Sequence, residues 1–345
     1  MDRVRDLIRA VDRFQQRHSW SAFPFAVFKK YGEDQAGNQA ALIAYYGFFS
    51  IFPLLLVAVT VLGLVLAHDP HLQGKVLNSA LKDFPVIGTQ LRHNIHSLNR
   101  TGIGLGLGIV GTFYGARGVA SAAQNAFNHA WNVPKSERPG FPFNTFRSFG
   151  MILAVGGGIL VTTVMAGFAT GSSSVGVGIR IGAYALALIV NIAVFWLGFR
   201  WGTAKSIQGR DMWLAAVVAA VVWQILQGFG TFLVARELKN ASEVYGTFAF
   251  VIGLLWWIYL QAQVTLYAIE IDVVRVRRLW PRSIVQPPLT DADEKAYEIY
   301  VEEEKRRRPE TVEVRIDEPV ENGHDGRRED WQPVGRTSRG DGTRR

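Results

Sequence analysis

Long apolar runs separated by short charged intervals dominate the first 270 residues. Crossing a hydrocarbon core of about 30 Å takes about 20 mostly apolar residues in a helix. Charge-free windows of that length run from Gln35 to His68, Ser148 to Ile179, Ile181 to Phe199, Met212 to Ala235 and Val244 to Ile269. A further window, Gly102 to Asn125, is broken once, by Arg117. The pattern predicts an all-α, polytopic membrane helix bundle with six transmembrane helices near residues 40–67, 102–127, 148–171, 179–199, 212–235 and 246–270. Arg180 would lie at the mouth of the fourth, where its stem can snorkel to the interface.

The flanks carry other periods. Val4, Leu7, Ile8, Val11 and Phe14 fall on one helical face of residues 1–20, with Arg and Asp opposite. That amphipathic helix either lies on an anionic leaflet as a basic strip or caps the bundle from below. Between the first two spans, Leu72, Val76, Leu77, Ala80, Leu81 and Phe84 recur at helical spacing, Pro85 interrupts, and Leu91, Ile95 and Leu98 resume. Two amphipathic helices in an external loop, 68–101, are expected there. From Pro281 onward the chain is charged, Pro-containing and poor in apolar residues, too little to build a core. The expected organisation is therefore a cytoplasmic amphipathic segment at 1–39, a six-helix domain at 40–270 and a charged, largely disordered tail at 271–345. Residues 291–308 could form a short charged helix within that tail.

Composition sharpens the class. Hydrophobic residues are 49% of the 345 and charged residues only 19%, and the mean hydropathy is positive at +0.12. These values exclude collagen-like, wholly disordered and ordinary cytosolic proteins. With no cysteine, disulfides, thiolate metal sites and a thiol nucleophile are also excluded. The charged start and the length of the first apolar run predict a retained helix rather than a cleaved signal.

The net charge of +8 serves topology. The segment before the first span holds Arg3, Arg5, Arg9, Arg13, Arg17, Lys29 and Lys30. The second loop adds Lys135, Arg138 and Arg147, the fourth Arg200, Lys205 and Arg210, and the last span is followed by Arg275, Arg277, Arg278 and Arg282. Basic residues in short loops mark the cytoplasmic side, so a multi-pass protein of the plasma (inner) membrane with both termini cytoplasmic is expected. Mixed charge in the tail argues against a nucleic-acid arm.

The second span carries the candidate chemistry. Arg117, Ser121, Gln124, Asn125, Asn128 and Asn132 fall on one stripe by i+3 and i+4 steps. A charged side chain deep in a bilayer costs at least about 2.5–3.5 kcal/mol. Such a stripe therefore faces either a hydrated pathway in which Arg117 meets an anion, or a protein partner that locks the bundle. Tyr45, Tyr46 and Ser50 precede Pro53 in the first span, and Gln227 and Gln261 lie in the fifth and sixth. Gln and Asn serve as interhelical glue as readily as ligand contacts. Glu270 closes the sixth span and is placed to pair with a basic residue of the second or fourth loop. Arg117, Ser121, Gln124, Asn125, Asn128, Tyr45, Tyr46, Ser50, Gln227, Gln261 and Glu270 are the candidate pathway and substrate-binding residues.

Two motif matches dissolve in context. Gly106-x-Gly108-x-x-Gly111 copies a dinucleotide fingerprint, but it follows no strand and belongs to a longer glycine series through Gly118; close helix packing is the reading. His68, His71, His93 and His96 lack the i, i+4 spacing beside an acid of a helical zinc site. No metal, cofactor or catalytic residue is expected. A nuclease would need carboxylates or histidines converging on divalent ions, and the spans hold Glu270 and little else acidic.

The run AYYGFFSIFPLLL at Ala44–Leu56 resembles the first-helix pattern of the YihY/BrkB family of bacterial inner-membrane proteins. So does Gly111–Pro134, ending in AFNHAWNVP, and YGTFAFVIGLLWWIYLQAQVTLYAIEI at Tyr245–Ile271. The resemblance covers about residues 20–280 and is nearest to the YhjD-like branch, with its charged tail. Where the family ends the last helix in Gly-Ala-Glu, Ala268-Ile269-Glu270 keeps the acid and lacks the glycine. The resemblance implies six helices and cytoplasmic termini; relatives have been linked to lipid or lipid-precursor export and to serum resistance, and an older ribonuclease BN label is regarded as misassigned. Together these readings predict a transporter or flippase-like exporter of an anionic lipid or lipid-linked metabolite. The alternative is a non-transporting scaffold of the cell envelope that recruits partners through its tail. Membrane lipids are the expected partners, with a second copy of the chain or cell-envelope proteins left open, and no nucleic acid.

Overall fold

A computed structural model describes residues 2–65, 102–140, 142–170, 177–240, 246–307, 309–312 and 314. The expected external helices at 68–101, their histidines and the tail beyond 314 lie outside the described residues. Within them all regular structure is helical: α1 (Asp2–Arg17), α2 (Ser19–Glu33), α3 (Ala36–Val65), α4 (Gly102–Ala130), α5 (Phe143–Thr170), α6 (Val177–Gly202), α7 (Trp213–Asn240), α8 (Gly246–Arg277) and α9 (Asp291–Glu303), with a 3-10 turn at Gly209–Met212. Helices α3 to α8 stand where the apolar windows predict six long helices. Among the described residues, three stretches are long and apolar enough to cross a membrane: Ile181–Gly202, Gly209–Gln227 and Val251–Arg277.

The core is built from small residues. Ala40, Ala44, Ala123, Ala126, Ala130, Ala215, Ala216, Ala219, Ala262 and Ala268 are buried, whereas large apolar side chains point outward: Tyr114 is 76% exposed and Leu153 74%. A water-soluble protein leaves no such continuous apolar surface bare; helices packed within lipid do so, because small residues let their backbones approach. The glycine series follows this rule. A Cβ at Gly111 would stand 2.9 Å from the Cβ of Pro53, and one at Gly115 would stand 2.7 Å from the Cβ and 2.9 Å from the Cα of Ser50. At Gly118 it would meet the Tyr46 ring at 2.6 Å. Glycine is therefore required along the α3–α4 seam by close approach, and α3 runs on through Pro53.

One end of the bundle, here the proximal end, carries α2, α9, the turns at 131–140 and 203–212 and the end of α8. The segment 278–307 is folded, which corrects the expectation of a largely disordered tail there. Thr290 caps α9: its side chain accepts from the Asp293 backbone N–H while the Asp293 carboxylate accepts from the Thr290 N–H. The segment is held by charge rather than by a large apolar core. Asp293 is buried against Arg282, Ser283 and Lys29, and Ala296 and Ile299 of α9 join the main core.

Candidate functional site

The α4 stripe changes character along its length. Arg117, about 20 Å up the axis from Ala130 at 1.5 Å per residue, is exposed beside Val110 and Tyr114. Among the described residues it makes no ion pair or hydrogen bond. Ser121 is half-buried, Asn125 exposed, and Gln124, Asn128 and Asn132 buried. The buried members are tied to neighbouring elements. Gln124 donates to Ser148 Oγ of α5 at 3.1 Å. Asn128 donates to the Gly202 carbonyl at 3.2 Å and accepts from the Ala204 N–H at 2.8 Å. Asn132 donates to Glu303 of α9 at 2.9 Å. The stripe is open at Arg117 and Asn125, whereas Gln124, Asn128 and Asn132 are covered by neighbouring elements.

The remaining candidates are dispersed. Tyr45 is exposed and Tyr46 borders on exposure, both on α3 beside the glycine seam. Ser50 donates to the Gly47 carbonyl at 2.8 Å within its own helix. Gln261 is half-buried and its carbonyl accepts from Thr265; Gln227 is exposed. Glu270 is fully buried at the proximal end, far along α8 from these.

Glu270 belongs to an ionic floor that sequence reasoning largely missed. Its partner is Lys30 of α2, not a base from the turns at 131–140 or 203–212: Lys30 Nζ stands 3.4 Å from Glu270 Oε2. The reason is that α2 packs against α8, with Tyr31 stacked on Tyr267 at 3.7 Å, which sets Lys30 beside Glu270. The same ammonium donates to Asp34 and to the Ala130 carbonyl at the C-terminus of α4, where the helix dipole favours a cation. The Tyr300 ring of α9 covers it at 5.6 Å. Neither Glu270 oxygen accepts a hydrogen bond among the described residues. Burial alone would lower the Lys30 pKa, but Glu270 and Asp34 together hold the ammonium above its ordinary value. Burial pushes the Asp34 carboxyl up, against the pull of Lys30.

Two further clusters extend the floor. Glu303 receives His129, Arg138 and Asn132; burial works against ionisation, and these donors still hold its carboxyl below the usual range. Arg282, fully buried, donates to Asp293 and forks onto Glu33 at 3.0 and 2.9 Å. Hydrogen bonds from Arg282, Ser283 and Lys29 outweigh burial and hold Asp293 well below the ordinary carboxylate range. Two patterns could have flagged the floor: Lys29-Lys30 four residues before Glu33-Asp34, and Thr290-x-x-Asp293. Neither names the long-range partner.

The charged floor, the small-residue core and the apolar exterior define an all-helical membrane protein. The chain belongs to the virulence factor BrkB family, whose profile matches residues 27–288. It is 26% identical over 284 residues to the UPF0761 membrane protein of Alcanivorax borkumensis, covering 79% of this chain and 63% of that relative. It is 21% identical over 287 residues to the inner membrane protein YhjD of Escherichia coli, covering 76% and 79%. It is 23% identical over 272 residues to a Bacillus subtilis protein named ribonuclease-like, YfkH, covering 73% and 94%. The chain thus spans less than two thirds of the Alcanivorax relative's length. No solved structure matches it.

Proposed function

We propose that this is a six-span inner-membrane protein, with the proximal end cytoplasmic, that moves an anionic lipid or lipid-linked metabolite by a flippase-like route along α4. The observation that carries the reading is the stripe that is open at Arg117 and covered at Gln124, Asn128 and Asn132. A guanidinium at that depth among apolar side chains costs at least about 2.5–3.5 kcal/mol unless an anion or water meets it. A lipid phosphate supplies both charge and acceptors, and Arg binds it bidentately. The proximal Gln124–Ser148 and Asn128–Gly202 contacts act as the closed side of the route, and their opening completes transfer. The orientation rests on the basic turns gathered at the proximal end.

Proteoliposomes carrying fluorescent phosphatidylglycerol test the reading. Arg117→Ala should slow headgroup translocation at least about tenfold, the value of losing one charge-assisted hydrogen bond of about 1.5 kcal/mol, and Arg117→Lys should keep part of the rate because the charge stays. Equal rates for all three proteins remove Arg117 from the route. If translocation is absent in the unsubstituted protein, the scaffold reading takes its place.

A further inference from the structure

Helix α1 divides its surface three ways. Asp12 and Gln15 face the protein: Asp12 is only 7% exposed and accepts from the Ile284 N–H at 2.9 Å and the Val285 N–H at 3.3 Å, and Gln15 donates to the Arg282 carbonyl at 3.3 Å. The apolar flank is left bare. Val11 and Phe14 are each 52% exposed. The other flank carries Arg9, Arg13 and Arg17, all exposed. An amphipathic helix that buries its acid and amide while baring its valine and phenylalanine is inside-out for water.

The bare strip does not end with α1. Phe14 meets the Trp20 ring edge-on at 6.4 Å, and Trp20, Pro24 and Phe28 continue it at i+4 spacing along α2, all exposed. Leu42, Tyr45 and Phe49 take up the exposed row on α3. The strip is therefore continuous in kind with the outward apolar surface of the bundle. At the α1–α2 elbow, Ala10, Arg13, Phe14, Arg17 and His18 line a recess of about 330 Å³. His18 Nδ1 is held by the Phe14 carbonyl at 2.8 Å, which turns the other ring nitrogen away from the backbone.

We propose that the α1–α2 elbow docks on the proximal leaflet as an anionic-lipid site. Val11, Phe14, Trp20 and Phe28 seat among the acyl chains, and Arg13 and Arg17 hold phosphate headgroups over the recess. Apolar area and basic charge act together in such interfacial helices, and polybasic positions gain from an anionic surface. The proposal stands apart from lipid movement along α4, and a protein that transports nothing could still dock this way.

Because the chain has no cysteine, one introduced thiol is a unique label. Full-length Val11→Cys, Phe14→Cys and Arg9→Cys proteins, spin-labelled in phosphatidylglycerol nanodiscs, report depth by oxygen and nickel-chelate accessibility. Labels at 11 and 14 should be reached by oxygen and shielded from the chelate, with the label at 9 showing the reverse. Chelate access at all three positions, or shielding of 11 and 14 from both reagents as at a protein contact, overturns the docking. Arg13→Ala/Arg17→Ala should reduce preference for phosphatidylglycerol over phosphatidylcholine, read by native mass spectrometry of retained lipids, by roughly 25-fold, about fivefold for each arginine. A fall below about twofold overturns the headgroup site.

Discussion

Lys30 shows how a single side chain sets the electrostatics of the proximal end. It is fully buried among two carboxyl groups and a helix-terminal carbonyl, so its removal leaves Asp34 and Glu270 facing each other without compensation. Breaking a buried pair by deleting one partner costs about 3–5 kcal/mol. Lys30→Ala should therefore lower the thermal unfolding midpoint in detergent sharply, and Lys30→Ala/Glu270→Gln should recover a large part of the loss. Equal loss in the single and double variants would show that Lys30 acts through packing rather than charge. Arg117 is the opposite case, a charge with open surroundings. The sequence marks Arg117 as unusual because it interrupts an apolar run, and Glu270 because it ends one. Lys30 hides in a basic segment in which Arg9, Arg13 and Arg17 serve the surface, and only the packing of α2 on α8 distinguishes it.

Among the elements, the long helices were legible in their long apolar runs, and close packing of α4 was legible in its glycines, though not that α3 is the neighbour. Helix α9 was legible as a helix and illegible as a packed one. Its fixation depends on Asp293 and Glu303 finding donors more than a hundred residues away in Lys29, Asn132 and His129, a pairing that local composition does not encode. The pH dependence follows from the sign of these shifts. Both carboxyls are held below their ordinary values in the fold, so the folded state favours the deprotonated forms. Their stabilisation is present above the ordinary carboxyl range near about pH 4 and is lost as pH falls through the depressed values. A spin label at Glu298→Cys on α9 should sharpen below about pH 4 while one at Ile189→Cys on α6 stays broad. Simultaneous sharpening, or none at α9, would contradict fixation of α9 by these acids.

At the scale of the whole molecule, charge and hydrophobicity are sorted by depth. Among the described residues the ion pairs gather at the proximal end, small residues fill the helix seams, and large apolar side chains form the exterior. That sorting was readable in the sequence as a class of protein. The split of the α4 stripe was not, since the same 3.6-residue period describes an open face at Arg117 and a sealed one at Asn128; only the turns at 131–140 and 203–212 and the ends of α5 and α6 decide which part is covered. A density map of the full-length protein in an anionic-lipid nanodisc tests the central claim most directly. Headgroup density within hydrogen-bonding distance of the Arg117 guanidinium is the expected result, and a guanidinium instead paired with a protein carboxylate, with no lipid beside it, would contradict the proposed route.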